Sequence, residues 1–185
     1  MKWNKKLEVM RHYDRSAPVY DAQYAEEQNA KIKALLNNLI INKNSLILDV
    51  GCGTGLLFEH IGKQAKLLIG LDISSKILKE AKKRVKLFPK VVIIRADADY
   101  APFPNEIFDA VFAITIIQNI PNPILTLYEM KRISKRDAAI AVTGLKKEFS
   151  QEKFIGLLKE AGLEISIMKI NDCLKGYVAI CKKLN

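Results

Sequence analysis

The stretch LILDVGCGTGLL, residues 46–57, constrains the fold more than any other. An apolar run carrying one acid, Asp49, ends at Val50, and glycines follow at alternate positions: Gly51, Gly53 and Gly55. Three glycines between a strand-like run and a helix-like run keep side chains off the backbone. The chain can then turn sharply, and a ligand can come close to the main chain. In open α/β sheets, the carboxyl ends of strands are where ligands bind.

The rest of the chain fits such a sheet. Apolar, β-branched runs at 45–50, 66–72, 90–97, 108–115 and 138–144 read as strands buried on both faces of a parallel sheet. Helical spacing fills the gaps at 26–40, 56–64, 74–88, 122–134 and 150–162. Serines suit the start of the third of these helices, Asn122 with Pro123 starts the fourth, and Ser150 and Gly162 bracket the last. The runs at 164–170 and 177–183 are separated only by NDCLKG, too short for a parallel crossover, so they should pair antiparallel. The expected class is α/β: five parallel strands, a closing hairpin and helices on both faces.

With 185 residues, 49% hydrophobic and 27% charged, the chain has the size and composition of one ordinary globular domain. No apolar run approaches a membrane span, and the basic start MKWNKKLEVMRHYD has no apolar segment behind it. A cytoplasmic location without membrane attachment is expected. Cys52, Cys173 and Cys181 are widely spaced and form no C-x-x-C pair, and the histidines are His12 and His60, so no metal site is expected. The net charge of +10 concentrates at Lys76, Lys79, Lys82, Lys83, Arg84, Lys86 and Lys90, against Glu80. Such a face suits either a polyanion or plain solvent.

Acids close three successive strands: Asp49 at the first, Asp72 at the second and Asp97 at the third. Asp72, some twenty residues after the glycines, can take two ribose hydroxyls or cap the following helix. Asp97 can accept from an adenine amino group, and Asp99 should face solvent or cap a turn. A dinucleotide fingerprint needs a third glycine where Leu56 stands, and a pyrophosphate would not welcome Asp49. A ligand with an amine, a ribose and an adenine suits the three acids better.

These stretches resemble the class I S-adenosylmethionine-dependent methyltransferases. LDVGCGTG is similar to the first motif of that family, GLDIS to the second, and ADADYAPFPNEIFDAVFAIT to the third and fourth. The resemblance implies a Rossmann-like fold of seven strands with a reversed last strand, a helical lid over 1–44 and a core over 45–185. It implies S-adenosylmethionine as cofactor. Gly51 and Gly53 would let the backbone approach its methionine part, Cys52 between them would belong to the cofactor site, Asp49 would hold the amino end, and Gly55 would open the next helix. Asp72 would take the ribose hydroxyls, Ile73, Asp97 and Ala98 would hold the adenine, and Ile114 and Thr115 would lie beside the sulfonium. Tyr13 and Tyr20, in HYDRSAPVYDAQY, are candidate lid residues that could equally pack the helices.

The acceptor side should lie at TIIQNIPNP, residues 115–123. Many relatives carry histidine where Gln118 and Asn119 stand. Amides and the Thr115 hydroxyl can orient an acceptor but do not remove a proton at neutral pH. Thr115, Gln118 and Asn119 are therefore candidate catalytic residues acting by position. The basic charge leans towards RNA or a translation component as substrate, with a quinone, lipid precursor or metabolite as the alternative. A non-catalytic cofactor-binding subunit is a third reading. Some compact relatives work with a small zinc-binding activator on an edge strand, and the apolar run 90–97 is the candidate edge.

Overall fold

A computed structural model describes residues 2–170 and 172–184, leaving out the Lys2 side chain. Asn171, in the predicted connection before the last strand, lies outside the described residues. A seven-stranded sheet has the order β3-β2-β1-β4-β5-β7-β6. Its strands are β1 (Leu46–Val50), β2 (Leu67–Asp72), β3 (Val91–Arg95), β4 (Phe108–Ala113), β5 (Ser134–Leu145), β6 (Leu163–Lys169) and β7 (Gly176–Lys183). The first five run parallel, and β7 is inserted antiparallel between β5 and β6. The expected architecture is therefore present.

Side chains alternate across the sheet and build a core on each face. Ile47, Leu68 and Phe112 join Ile32, Leu35, Phe58 and Leu78 on one face. Leu48, Val50, Val111 and Ile140 join Leu127, Met130, Phe154 and Leu158 on the other. The helices that cover these faces are α2 (Tyr20–Leu36), α3 (Leu56–Ile61), α4 (Ser75–Val85), α5 (Pro123–Ile133) and α6 (Gln151–Glu160). A further helix, α1 (Lys2–Ser16), precedes them. No helix among the described residues is long and apolar enough to cross a membrane.

Local chemistry sets the boundaries. The Ser74 and Ser150 hydroxyls accept from the N–H groups of Ile77 and Lys153, capping α4 and α6. Gly162 follows α6 in the left-handed region. Two elements differ most from their expected bounds. The helix expected at 26–40 starts at Tyr20 and stops at Leu36, leaving Ile40 exposed in the connection to β1. β5 starts at Ser134, directly after α5, because Ile107 N–H reaches back to Ile133 O and begins the ladder early.

Candidate functional site

The chain order reverses between β1 and β4, and the crevice at the carboxyl ends of β1, β2 and β3 opens there. The glycine turn is clamped to the next strand: the N–H groups of Gly51 and Cys52 both donate to Leu71 O, at 2.7 and 3.0 Å. Asp72 joins this turn to α4. Its carboxylate accepts from Gly53 N–H at 3.0 Å and from Ser74 N–H at 2.8 Å. Burial pushes the Asp72 carboxyl up, while those backbone donors pull it back.

The three glycines do not play one role. All have positive φ. A Cβ on Gly51 would stand 2.1 Å from Ile116 Cδ1, and one on Gly55 would stand 2.4 Å from the Phe58 ring. Side chains of this protein take the space at both positions. Only Gly53 would leave an ordinary contact, 3.8 Å to Ile77 Cδ1. At Gly51 the positive φ and the packed Ile116 side chain thus add a reason for glycine within the protein itself, while its backbone still lines the crevice.

Two adjoining cavities follow the strand ends. The larger, about 740 Å³ and open to solvent, is lined by Asp72, Ile73, Asp97, Ala98, Thr115 and Asn119, with Lys6, Val9 and Tyr13 of α1 above. The smaller, about 350 Å³, holds Asp49, Cys52, Thr54 and Gln28. Tyr20, Gly51, Gly53 and Ile114 line both. Most of the residues singled out from sequence thus meet in one crevice. Gly55 does not line it; it caps α3 instead. Gln118 does not line it either. Its amide donates to Thr115 O at 2.6 Å, and its Oε1 is buried with no partner among the described residues.

The two ends of the crevice differ in charge balance. Asp49 is 3% exposed, and no described residue hydrogen-bonds its carboxyl. Burial, then the Asp72 charge, push it well above the usual carboxylate range. Burial raises the Cys52 thiol in the same way. At the far end, Asp97 accepts from Lys6 Nζ at 2.7 and 2.6 Å, and Lys6 also pairs with Asp99 at 2.5 Å. Asp99 is buried and accepts from the Thr126 hydroxyl. The expected solvent or capping position of Asp99 is thus corrected: the 3-10 turn Ala98–Tyr100 folds it inward against α5.

Thr115 is the hub of the wall after β4. Its φ is 59°, unusual for a β-branched residue. Its N–H donates to Thr143 Oγ1, its carbonyl accepts from Gln118 and Asn119, and its hydroxyl donates to Gln28 Oε1. Lys31 Nζ donates to that hydroxyl at 3.1 Å and pairs with Glu27 at 3.2 Å. Lys31 is only 1% exposed, and burial lowers its pKa. Asn119 also donates to the Tyr13 hydroxyl at 2.7 Å. Burial pushes Tyr13 up to about 12 and raises Tyr20 as well, so both phenols stay protonated.

Sequence reasoning missed Lys6, Gln28 and Lys31. A signal for two of them was present: Gln28 and Lys31 share a helical stripe with Ile32 and Leu35, the buried face of α2. Lys6 offered none, since its partners stand more than ninety residues away.

The family model described as "Methyltransferase domain" matches residues 48–142. Among curated proteins, the chain is 33% identical over 104 residues to a demethylmenaquinone methyltransferase of Lysinibacillus sphaericus, covering 54% of this chain and 44% of that one. It is 30% identical over 134 residues to a malonyl-[acyl-carrier protein] O-methyltransferase of a Marinomonas species, covering 70% and 48%. The chain thus spans about half the length of these relatives. Among solved structures, the complex between the Haloferax volcanii Trm112 methyltransferase activator and a methyltransferase matches with a TM-score of 0.81 at 15% identity, over 94% of this chain and 98% of that one. At that identity the likeness speaks for the fold. The family match covers the glycine turn, Asp72, Asp97 and the wall after β4, and by it the chain belongs to the methyltransferase domain family.

Proposed function

We propose that the chain is an S-adenosylmethionine-dependent methyltransferase whose two joined cavities hold the cofactor. The observation that carries this reading is Asp49: a buried carboxyl without a hydrogen-bond partner, facing a cavity, beside a glycine turn. A buried charge left unpaired is costly, and an ammonium group satisfies it. Asp49, Gly51, Cys52 and Gly53 would hold the amino-acid end. Asp72 and Ile73 would hold the ribose and one face of the base, and Asp97 and Ala98 the base edge. Bound there, S-adenosylmethionine supplies an electrophilic methyl group on a sulfonium.

The chain's own residues contribute position. Tyr13 and Tyr20 line the crevice and would pack against bound cofactor, and Thr115, fixed by its hydrogen bonds, sets the course of the wall after β4. Asn119 presents an amide to that wall, and Gln118 braces it from behind. None of these groups removes a proton at neutral pH, so the acceptor is brought into line rather than activated. The same cavity is lined, besides Asn119, by Ile116, Ile120 and Pro121, with Val9 of α1 above. This apolar lining supports a small, mostly apolar acceptor over RNA or a translation component; Lys76, Lys79, Lys82 and Lys83 lie outside it, exposed on α4. The acceptors named for the curated relatives are in keeping with that choice.

Titration calorimetry with S-adenosylmethionine and S-adenosylhomocysteine tests the cofactor. Binding to the wild type that is lost in Asp72→Ala and Asp72→Asn, with both variants still melting cooperatively, is the expected result. Transfer of labelled methyl to the lipid-soluble fraction and not to RNA is expected of the active protein.

A second observation concerns β3. This strand pairs with β2 alone, and Val92 within it and Leu87 in the connection before it are exposed. An apolar free edge invites another strand. We propose that a small activator protein pairs there, a reading supported by the fold shared with the Trm112 complex. Co-expression that raises solubility and activity, and Val92→Lys that cancels the gain, is the expected outcome.

A further inference from the structure

The base end of the larger cavity is bordered by a cluster in which Lys6, outside the family's motifs, meets Asp97 and Asp99 within them. Lys6 comes from the second turn of α1, and its side chain is 12% exposed. Its ammonium touches both oxygens of Asp97 and one of Asp99, and it stands 5.8 Å from the centre of the Tyr100 ring. Lys6, Val9 and Tyr13 are spaced to share one face of α1, and all three line the cavity. The later part of α1 is tied down independently: Asp14 accepts from the Ser74 hydroxyl and Lys76 N–H, and the Tyr13 hydroxyl accepts from Asn119. Over residues 3–9, by contrast, Lys6 is the only described side chain that hydrogen-bonds another part of the chain. The first half of α1 therefore has this ion-pair cluster as its one side-chain polar anchor among the described residues, beside the packing of half-buried Leu7 and Val9.

We propose that Lys6 is the residue that retains the nucleoside end of the ligand: clasped by Asp97 and Asp99, it holds the start of α1 across the mouth, so that bound ligand departs only when this cluster opens. The proposal rests on the S-adenosyl reading of the cavity. Two features favour retention over competition for Asp97. The cavity exists with the clasp closed. And among the described residues Asp97 Oδ2 receives a single hydrogen bond, from Lys6, whereas a carboxylate oxygen accepts about two, so room remains for a donor from the ligand.

The test uses Lys6→Met, with Lys6→Arg as the charge-keeping variant and exposed Lys5→Met as the charge-matched control. Two quantities are read: amide exchange over residues 2–10 without ligand, and the dissociation rate of S-adenosylhomocysteine by stopped flow. Lys6→Met is expected to lose protection over 2–10 and to release ligand about tenfold faster, since breaking a desolvated charge pair acts on off-rates. Lys6→Arg should restore both, and Lys5→Met should change neither. Unchanged protection in Lys6→Met, or unchanged release in a protein that binds the ligand, sinks retention alone. A wild type that does not bind S-adenosylhomocysteine takes the cofactor reading down with it, and the exchange arm then reports on the clasp by itself.

Discussion

The two ends of the crevice carry the same kind of residue in opposite surroundings. Asp49 is buried without a partner and is driven towards its protonated form. Asp97 is supplied with an ammonium and the Asp99 N–H, although it is the more accessible of the two. An acid is expensive to bury when it has nothing to pair with and cheap when a cation arrives with it. The Asp49 end therefore stores a deficit that a cationic ligand relieves, whereas the Asp97 end is already stable in the free protein. Binding strength should come from the first and residence from the second.

Neutralising each acid is the sharpest way to test that contrast, since the effects on the free protein should have opposite signs. Asp49→Asn should weaken S-adenosylhomocysteine by about thirty-fold, the size of one charge-assisted hydrogen bond. The same substitution should raise the stability of the ligand-free protein by about 1 kcal/mol, because an amide has no charge to desolvate or to neutralise by taking up a proton. Asp97→Asn should lower ligand-free stability by about 1 kcal/mol, since Lys6 loses part of its pairing. Denaturant titration and calorimetry on both variants measure this. Shifts of the same sign would break the comparison.

The smallest expected effect is in pH. The folded-state pKa of Asp49 is raised above its ordinary value of 3.8. Its stabilising share is fully present below that value and is lost as pH rises through the folded value. The melting temperature of the wild type should thus fall relative to Asp49→Asn as pH climbs from about 4. Ligand affinity should rise over the same interval, because an ammonium needs the ionised carboxyl. A difference between wild type and variant that stays flat with pH would show that Asp49 does not titrate there.

Much of the sheet was legible from short-range chemistry. Apolar β-branched runs marked the strands, Ser74 and Ser150 marked helix starts, and the short link before the last strand required an antiparallel pair. The glycine turn and the acids at three strand ends were legible because their positions follow from where strands stop. The side chain packed at Gly51 and the burial of Asp99 were not. One depends on Ile116, some sixty-five residues downstream, and the other on Lys6 and Thr126. Lys31 lay open to reading as part of a buried helical stripe, yet its partner Thr115 stands on another element.

The sequence by itself determined the order of elements, the side of the sheet on which the crevice opens and the acids that reach it, because each follows from local propensity and from periodicities of two and 3.6 residues. Only the tertiary structure decided which acid is paired and which is left bare. That depends on where α1 and α2 come to rest, and so on contacts between residues tens of positions apart, whose side chains carry no mark of one another in the chain.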